Sequence, residues 1–289
     1  MTDTFNQILT QLISDETGKV LPLLERVIIG DAVQKAEKIL TILKKVQSAD
    51  QASLDTEYLI SLNNLAELYR AQGRYADAEP LYLEALEIKR TALGAAHPDT
   101  ATSLNNLAQL YRAQGRYADA EPLYHEALEI FRTALGAAHP DTATSLNNLA
   151  ALYHAQGRYT DAEPLYLEAL EIRRTALGAA HPDTATSLNN LAQLYRAQGR
   201  YADAEPLYLE ALEIRRTALG AAHPDTLLIQ MNLGMFLDQL DRSREADGYL
   251  TGLRDRFLKV LPADHPWIAN LDAHMAARDA PRADPNTFA

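Results

Sequence analysis

The sequence predicts an all-α solenoid built from repeated helix hairpins, and three observations predict it. The stretch from His97 to Ala138 recurs almost letter for letter from His139 and again from His181, a period of 42 residues. A fixed period of this length is typical of a solenoid. Each period contains two apolar stripes at helical spacing, and a glycine separates the stripes. Each repeat is therefore expected to be a pair of antiparallel helices.

The two stripes define the two helices of one repeat. The first stripe contains Leu104, Leu107, Ala108 and Tyr111, and the second contains Ala120, Leu123, Tyr124, Ala127, Leu128 and Leu135. Gly115 lies between them and can take the left-handed conformation that ends a helix. Gly136 has the same place after the second helix, and the sequence His-Pro-Asp-Thr then starts the next repeat. In this start, Asp99 or Thr100 is expected to cap the helix.

The domain organisation follows the period. Five repeats are predicted over 55–264, of which the first four are nearly identical and the fifth has diverged. Their predicted limits are 55–96, 97–138, 139–180, 181–222 and 223–264. Solenoids need terminal caps, because an end repeat otherwise exposes its apolar face. Residues 1–54 are interpreted as an N-terminal helical cap or degenerate repeat, with a docking element for a partner as the alternative.

The C-terminal end is expected to close the array. Residues 265–279 predict a capping helix with a polar outer side. Residues 280–289 contain two prolines and little to bury, and this composition predicts a disordered tail.

Composition excludes several classes of function. The chain has 39 acidic and 27 basic residues and a formal charge of −12, which disfavours nucleic acid as a partner. It contains no cysteine, so disulfides and thiolate chemistry are excluded. No basic and apolar leader and no long apolar run appear, so neither a signal peptide nor a membrane span is expected. The expected location is the cytoplasm.

No catalytic, cofactor or metal site is predicted. The histidines that open the repeats are 42 residues apart, so one metal ion cannot bridge them, and they are interpreted as turn residues. The carboxylates of the second helices recur in every repeat and are interpreted as a solvated face. The pair Gly18 and Lys19 lacks the other residues of a phosphate-binding loop. The protein is therefore not expected to be an enzyme.

The motif residues carry a family resemblance. The order Leu107, Ala108, Tyr111, Gly115, Tyr117, Ala120, Tyr124, Ala127 and Leu128 resembles the tetratricopeptide repeat. The longer pattern, with its 42-residue period and its His-Pro-Asp-Thr start, is similar to the repeats of kinesin light chains, and the resemblance covers about 56–264. It implies a right-handed superhelix whose first helices line a concave groove.

The resemblance also implies which residues face the groove. They form a row of asparagines and a basic row, with glutamines between them: Asn63, Asn105, Asn147 and Asn189; Arg70, Arg112, His154 and Arg196; Gln109 and Gln193. Asparagine amides suit a peptide backbone because they both donate and accept hydrogen bonds. The alternatives are that the asparagines brace neighbouring helices and that the arginines are only solvated. Since Asn105 and Asn106 point about 100° apart, one could brace while the other faces the groove.

The expected function is a protein-protein interaction scaffold that binds an extended peptide or partner protein in the groove. Kinesin light chain grooves accept peptides with a tryptophan amid acidic residues, so the resemblance implies a hydrophobic-acidic ligand. One alternative is a sensor or regulatory subunit of a bacterial signalling or defence assembly whose effector is on another chain. Another is a self-assembling structural array.

Overall fold

A computed structural model describes residues 33–34, 36–41, 51–263 and 265–279. The predicted N-terminal element at 1–54 lies largely outside these ranges, and the predicted tail at 280–289 lies entirely outside them. Residues 33–34 and 36–41 are helical, and Val33 and Leu40 are buried and belong to the hydrophobic core. The choice between a cap and a docking element stays a prediction.

In the described residues from 51 onward, twelve further helices follow in order. They are α1 (Gln51–Ala71), α2 (Tyr75–Leu93), α3 (Pro98–Ala113), α4 (Tyr117–Leu135), α5 (Pro140–Ala155), α6 (Tyr159–Ala176), α7 (Pro182–Ala197), α8 (Tyr201–Leu219), α9 (Pro224–Gln239), α10 (Ser243–Leu250), α11 (Leu253–Leu258) and α12 (Pro266–Asp279). The described ranges contain no strand. Each helix contacts the next, and the first helices of the repeats from α3 to α7 also contact one another. The predicted all-α solenoid of helix hairpins is confirmed.

Small side chains let the helices approach, and aromatic side chains fill the remaining space. Ala108 on α3 and Ala127 on α4 are completely buried, and Tyr124 is buried beside them. The turns have the predicted glycines, since φ is +73° at Gly115 and +95° at Gly136. Few residues other than glycine adopt this backbone region, so these positions fix where the helices end.

The histidine that opens each of repeats two to five is itself the helix cap. Nδ1 of His97 accepts a hydrogen bond from the backbone N–H of Asp99 at 3.1 Å, and the equivalent bond recurs at the starts of α5, α7 and α9. The sequence predicted Asp99 or Thr100 in this role. Thr100 instead donates to the carbonyl of Gly94 at 2.9 Å, which ties the new helix to the end of the previous repeat.

Carboxylates of the second helices join neighbouring repeats, which corrects their interpretation as a purely solvated face. Nη1 of Arg116 lies 2.9 Å from Glu79 in the preceding repeat, and the guanidinium also stacks on the Tyr111 ring at 4.0 Å. The same ion pair recurs with lengths of 2.6–3.0 Å along the array: Arg158 with Glu121, Arg200 with Glu163, and Arg242 with Glu205. These solvent-screened pairs link each repeat to the next at equivalent positions.

Repeat five departs from the others in its second helix. The helix is interrupted at Gly252, between α10 and α11, where φ is +68°. Gly234 on α9 replaces the alanine of earlier repeats, and a Cβ there would lie 2.6 Å from Cδ2 of Leu250. The glycine therefore lets α10 pack closely against α9. Within the described ranges, no helix combines the length and apolar character needed to cross a bilayer.

Candidate functional site

A cleft of about 570 Å³ opens on the face formed by the first helices of repeats two, three and four. Helices α3, α5 and α7 supply its walls, and α6, the second helix of repeat three, supplies its floor. The lining residues are Arg112, Thr144, Asn147, Asn148, Ala151, His154, Ala155, Tyr166, Arg173, Thr186, Asn190 and Gln193. The cleft spans three repeats, so its geometry depends on the angle between them.

Helical spacing explains which side chains reach the cleft. On α5 the lining residues include Thr144, Asn148, Ala151 and Ala155, which follow one another at intervals of three and four residues. Such intervals place side chains on one face of a helix. The buried face of the same helix carries Ala143, Leu146 and Ala150. The apolar stripe therefore orients the polar one toward the open side.

Four of the sequence-predicted residues line the cleft, and six do not. Those in the lining are Arg112, Asn147, His154 and Gln193. Those outside it are Asn63, Asn105, Asn189, Gln109, Arg70 and Arg196. Arg70 forms an ion pair with Glu67 on the same helix, and Arg196 donates to the Gln239 side chain at 2.6 Å.

The first asparagine row lies mainly between helices. Asn105, Asn147 and Asn189 are all at least 94% buried. Asn105 accepts a hydrogen bond from Ser145, Asn147 donates to Ser187, and Asn189 accepts from Asn232, over 3.4, 3.4 and 3.0 Å. Asn63 bonds the carbonyl of Leu59 on its own helix at 2.8 Å. The three buried asparagines therefore brace adjacent first helices, as the alternative interpretation held, and Asn147 alone of the row also lines the cleft.

One lining arginine was not foreseen, and two lining asparagines are the second members of the pairs for which the sequence interpretation left the orientation open. Asn148 and Asn190 line the cleft, each one position after a member of the buried row. Arg173 on α6 lines its floor and is 5% exposed. A signal for Arg173 existed in the repeat alignment, because the equivalent positions carry Lys89, Phe131 and Arg215, one of the few places where the repeats differ.

The electrostatics of the cleft are opposite in sign to those of the whole chain. The lining contains two arginines and a histidine but neither aspartate nor glutamate. Burial and the nearby Arg112 guanidinium lower the pKa of His154, so this ring is neutral at pH 7 and can both donate and accept. Burial also lowers the pKa of Arg173, opposed by Asp183 and assisted by Arg215, but an arginine stays charged. The cleft is thus arranged to receive negative charge.

The basic row is confined to the middle of the array. In repeat one, Glu67 neutralises Arg70, whereas repeats two and four carry Gln109 and Gln193 at the position of Glu67. In repeat five, Asp238 takes the position of Arg196 and pairs with His274 and Arg278. No cluster of metal-binding side chains occurs in the portion of the chain that the structure describes.

Comparison with known families gives a match over most of the repeats. The family model described as Tetratricopeptide repeat matches residues 57–133, 110–175, 141–217 and 183–251. Together these matches span 57–251, about two thirds of the chain.

Solved structures share the architecture. BtubC (BKLC) from P. vanneervenii has a TM-score of 0.63 and 24% identity over 91% of this chain and 97% of that one. A kinesin light chain-like protein from Podosopora anserina, with nearly identical TPR-like repeats, has a TM-score of 0.55 and 28% identity over 70% of this chain and 95% of that one. The quorum sensor NprR from B. thuringiensis has a TM-score of 0.63 and 18% identity, covering 97% of this chain and 81% of that one. The two likenesses below 25% identity concern the fold alone.

One curated relative matches over a short stretch. A nucleotide-binding leucine-rich repeat (NLR)-like protein from Hyaloscypha variabilis is 51% identical over 39 residues, which is 14% of this chain. The chain spans only 4% of that protein's length. The similarity is therefore that of about one repeat.

Proposed function

Because the chain belongs to the tetratricopeptide repeat family, in its kinesin light chain-like form, we propose that it is a protein-interaction scaffold whose cleft binds an acidic, partly apolar segment of a partner polypeptide. The observation that carries the proposal is the charge of the lining: Arg112 and Arg173 face the cleft without any lining carboxylate, in a chain of net charge −12. Neither catalysis nor a cofactor is part of this proposal, and a cytoplasmic location stays a prediction.

The local charges outweigh the net charge inside the cleft. Distant acidic residues are screened beyond about 8 Å at physiological ionic strength, whereas the guanidiniums of the lining meet a ligand directly. The carboxylates Glu79, Glu121 and Glu163 are occupied by ion pairs between repeats. The cleft therefore favours a ligand with its own carboxylates, while the net charge of −12 disfavours nucleic acid.

The apolar part of the proposed ligand follows from the remaining lining. Ala151, Ala155 and Tyr166 offer apolar surface between the polar side chains. Binding sites of this kind combine apolar area with a few oriented polar groups. Amides from Asn148, Asn190 and Gln193 can bond the backbone of an extended segment. An acidic peptide with one large apolar side chain meets all three properties.

The test uses two synthetic peptides of opposite charge. Fluorescein-labelled, end-blocked Gly-Asp-Glu-Leu-Trp-Glu-Asp-Gly and its counterpart with lysine for every acid are titrated against the full chain by fluorescence anisotropy. Variant Arg112→Ala removes one cleft cation. Variant Arg216→Ala is the matched control, because Arg216 pairs with Glu213 on the exposed side of α8 and is not in the lining.

The acidic peptide should bind more tightly than the basic one. Arg112→Ala should weaken its binding about tenfold, as expected for one charge-assisted contact, and Arg216→Ala should leave it unchanged. Tighter binding of the basic peptide, or equal effects of the two variants, contradicts the proposal.

A further inference from the structure

Arg173 is a buried cation whose hydrogen-bond partners are all uncharged. Its side chain is 5% exposed. Nη1 donates to the backbone carbonyl of Asp183 and to Oγ of Ser187, both at 3.0 Å, and Nη2 donates to Oγ1 of Thr144 at 3.1 Å. Within the described ranges it forms no ion pair. The Asp183 carboxylate acts on Arg173 only through its charge, without an ion pair, and a buried cation with no directly bonded carboxylate is costly.

Counting donors shows what remains available. A guanidinium has five N–H donors, and Arg173 uses three of them. One donor on Nε and one on Nη2 are left. Donors on these two adjacent nitrogens form the side of a guanidinium that binds a carboxylate in bidentate fashion. Since Arg173 lines the cleft floor, an anion in the cleft can reach this residue.

The next repeat provides an internal comparison. Arg215 occupies the equivalent position, also buried, and its Nη1 lies 2.7 Å from the Asp225 carboxylate. Asp183 is the equivalent of Asp225, yet Arg173 bonds only its backbone carbonyl. The same fold thus holds one arginine in direct contact with a carboxylate and one that only senses the charge of the equivalent carboxylate, and the second arginine is the one in the cleft.

We infer that Arg173 forms a subsite at the cleft floor for one carboxylate of the bound polypeptide, with Arg112 as the second cation of the same cleft. The inference rests on the proposed function and names the group that the cleft recognises. The carboxylate can belong to an acidic side chain or to a free C-terminus, and both present the same two oxygens. The planar, two-oxygen shape of a carboxylate matches the two available donors of Arg173.

The chain itself supplies substitutions that the fold accepts at this position. Repeat two has Phe131 there, 3% exposed, and repeat one has Lys89, which donates to the carbonyl of Asp99. Arg173→Phe therefore removes the charge while filling the space, and Arg173→Lys keeps the charge but removes the planar pair of donors. Thermal melts of both variants check that they fold as the native protein does.

Binding is measured with three peptides and the full chain. One is the end-blocked acidic peptide, which has only side-chain carboxylates. The second replaces every acid by its amide and has a free C-terminus, and the third has the same amides and an amidated C-terminus. The peptide that supplies the carboxylate should bind Arg173→Phe at least tenfold more weakly than it binds the native chain. Its affinity for Arg173→Lys should lie between these two values. The third peptide should bind all chains equally weakly.

A titration with acetate tests the subsite without any peptide. The Nε–H signal of Arg173 in a ¹⁵N spectrum, assigned from its absence in Arg173→Phe, should shift with saturation, and that of Arg215 should not move. Full affinity of Arg173→Phe for the acidic peptide, together with loss of binding in Arg112→Ala, overturns the subsite and leaves the proposed function standing. If no peptide binds the native chain, the proposed function fails. If the Nε–H signal of Arg173 also does not shift on addition of acetate, the subsite is overturned as well.

Discussion

Two neighbouring asparagines of α7 should separate stability from binding. Asn189 is 6% exposed and accepts a hydrogen bond of 3.0 Å from Asn232 in the next repeat. Asn190 is half-buried and lines the cleft. Replacing each by alanine removes the same atoms from the same helix, so the pair is its own control.

The expected magnitudes follow from these environments. A hydrogen bond contributes about 0.5–1.5 kcal/mol net, and a partner left unsatisfied adds to the loss. Asn189→Ala should therefore lower the free energy of unfolding by about 1–2 kcal/mol. At about 2–4 °C per kcal/mol for a chain of this size, the melting temperature falls by about 2–8 °C. Asn190→Ala removes a side chain at the open cleft and should change stability by less than about 0.5 kcal/mol.

The assays are thermal unfolding followed by circular dichroism and anisotropy with the acidic peptide. Asn189→Ala should melt earlier and bind normally once folded, whereas Asn190→Ala should melt normally and bind more weakly. The opposite pattern, with the larger stability loss at Asn190, would refute the assignment of the buried row as a brace.

Three further predictions concern the framework. Gly234→Ala should destabilise the protein by about 1 kcal/mol in urea unfolding. Overpacking against Leu250 costs about 1–3 kcal/mol, which exceeds the gain in helix propensity of about 1 kcal/mol. A net stabilisation would show that α10 can shift away from α9 to make room for the methyl group. Partial burial raises the pKa of Glu163, but hydrogen bonds, led by the one from Arg200, lower it, and the net shift is downward. The contribution of Glu163 to the free energy of unfolding is therefore complete above the unfolded pKa of about 4.3. This contribution is lost as the pH falls further. Glu163→Gln should therefore flatten the pH dependence of stability below about pH 5 in chemical denaturation, and an unchanged slope would count against the ion pair. Deletion of 139–180 should leave a shorter array with cooperative helical melting, since among the described residues the main contacts lie within a repeat or between neighbouring repeats; a non-cooperative melt would contradict this.

The fold could be predicted from the sequence because its signals repeat. Each apolar stripe and each turn glycine appears several times at the same spacing, and the structure confirms helices and positive φ values at these places. The capping role of His97 was not predicted, because histidine is not among the usual N-cap residues.

The cleft could be predicted only in part. Four of the residues that the resemblance assigned to the groove line the cleft. The resemblance did not fix how the first helix is rotated about its axis. Asn105, which is buried, was therefore assigned to the groove, although Asn106 is the asparagine that shares a stripe with Thr102 and Gln109. Spacing alone would have favoured the buried assignment, because Asn105 follows Ala101 by four residues and precedes Ala108 by three, and both alanines are buried. Arg173 was missed because it lies on a second helix, outside the rows that the resemblance implied.

The residue at the position of Arg173 on the second helix differs between repeats, and this difference limits where a ligand can bind on an otherwise repetitive surface. The first helices of repeats two, three and four are nearly identical, so a bound peptide would meet a similar wall at each of them. At the floor it would meet Phe131 or Arg215 instead of Arg173, that is, an apolar ring or a cation already neutralised. In the proposed binding mode, the residue at this position of the second helix would therefore set the register of the bound chain.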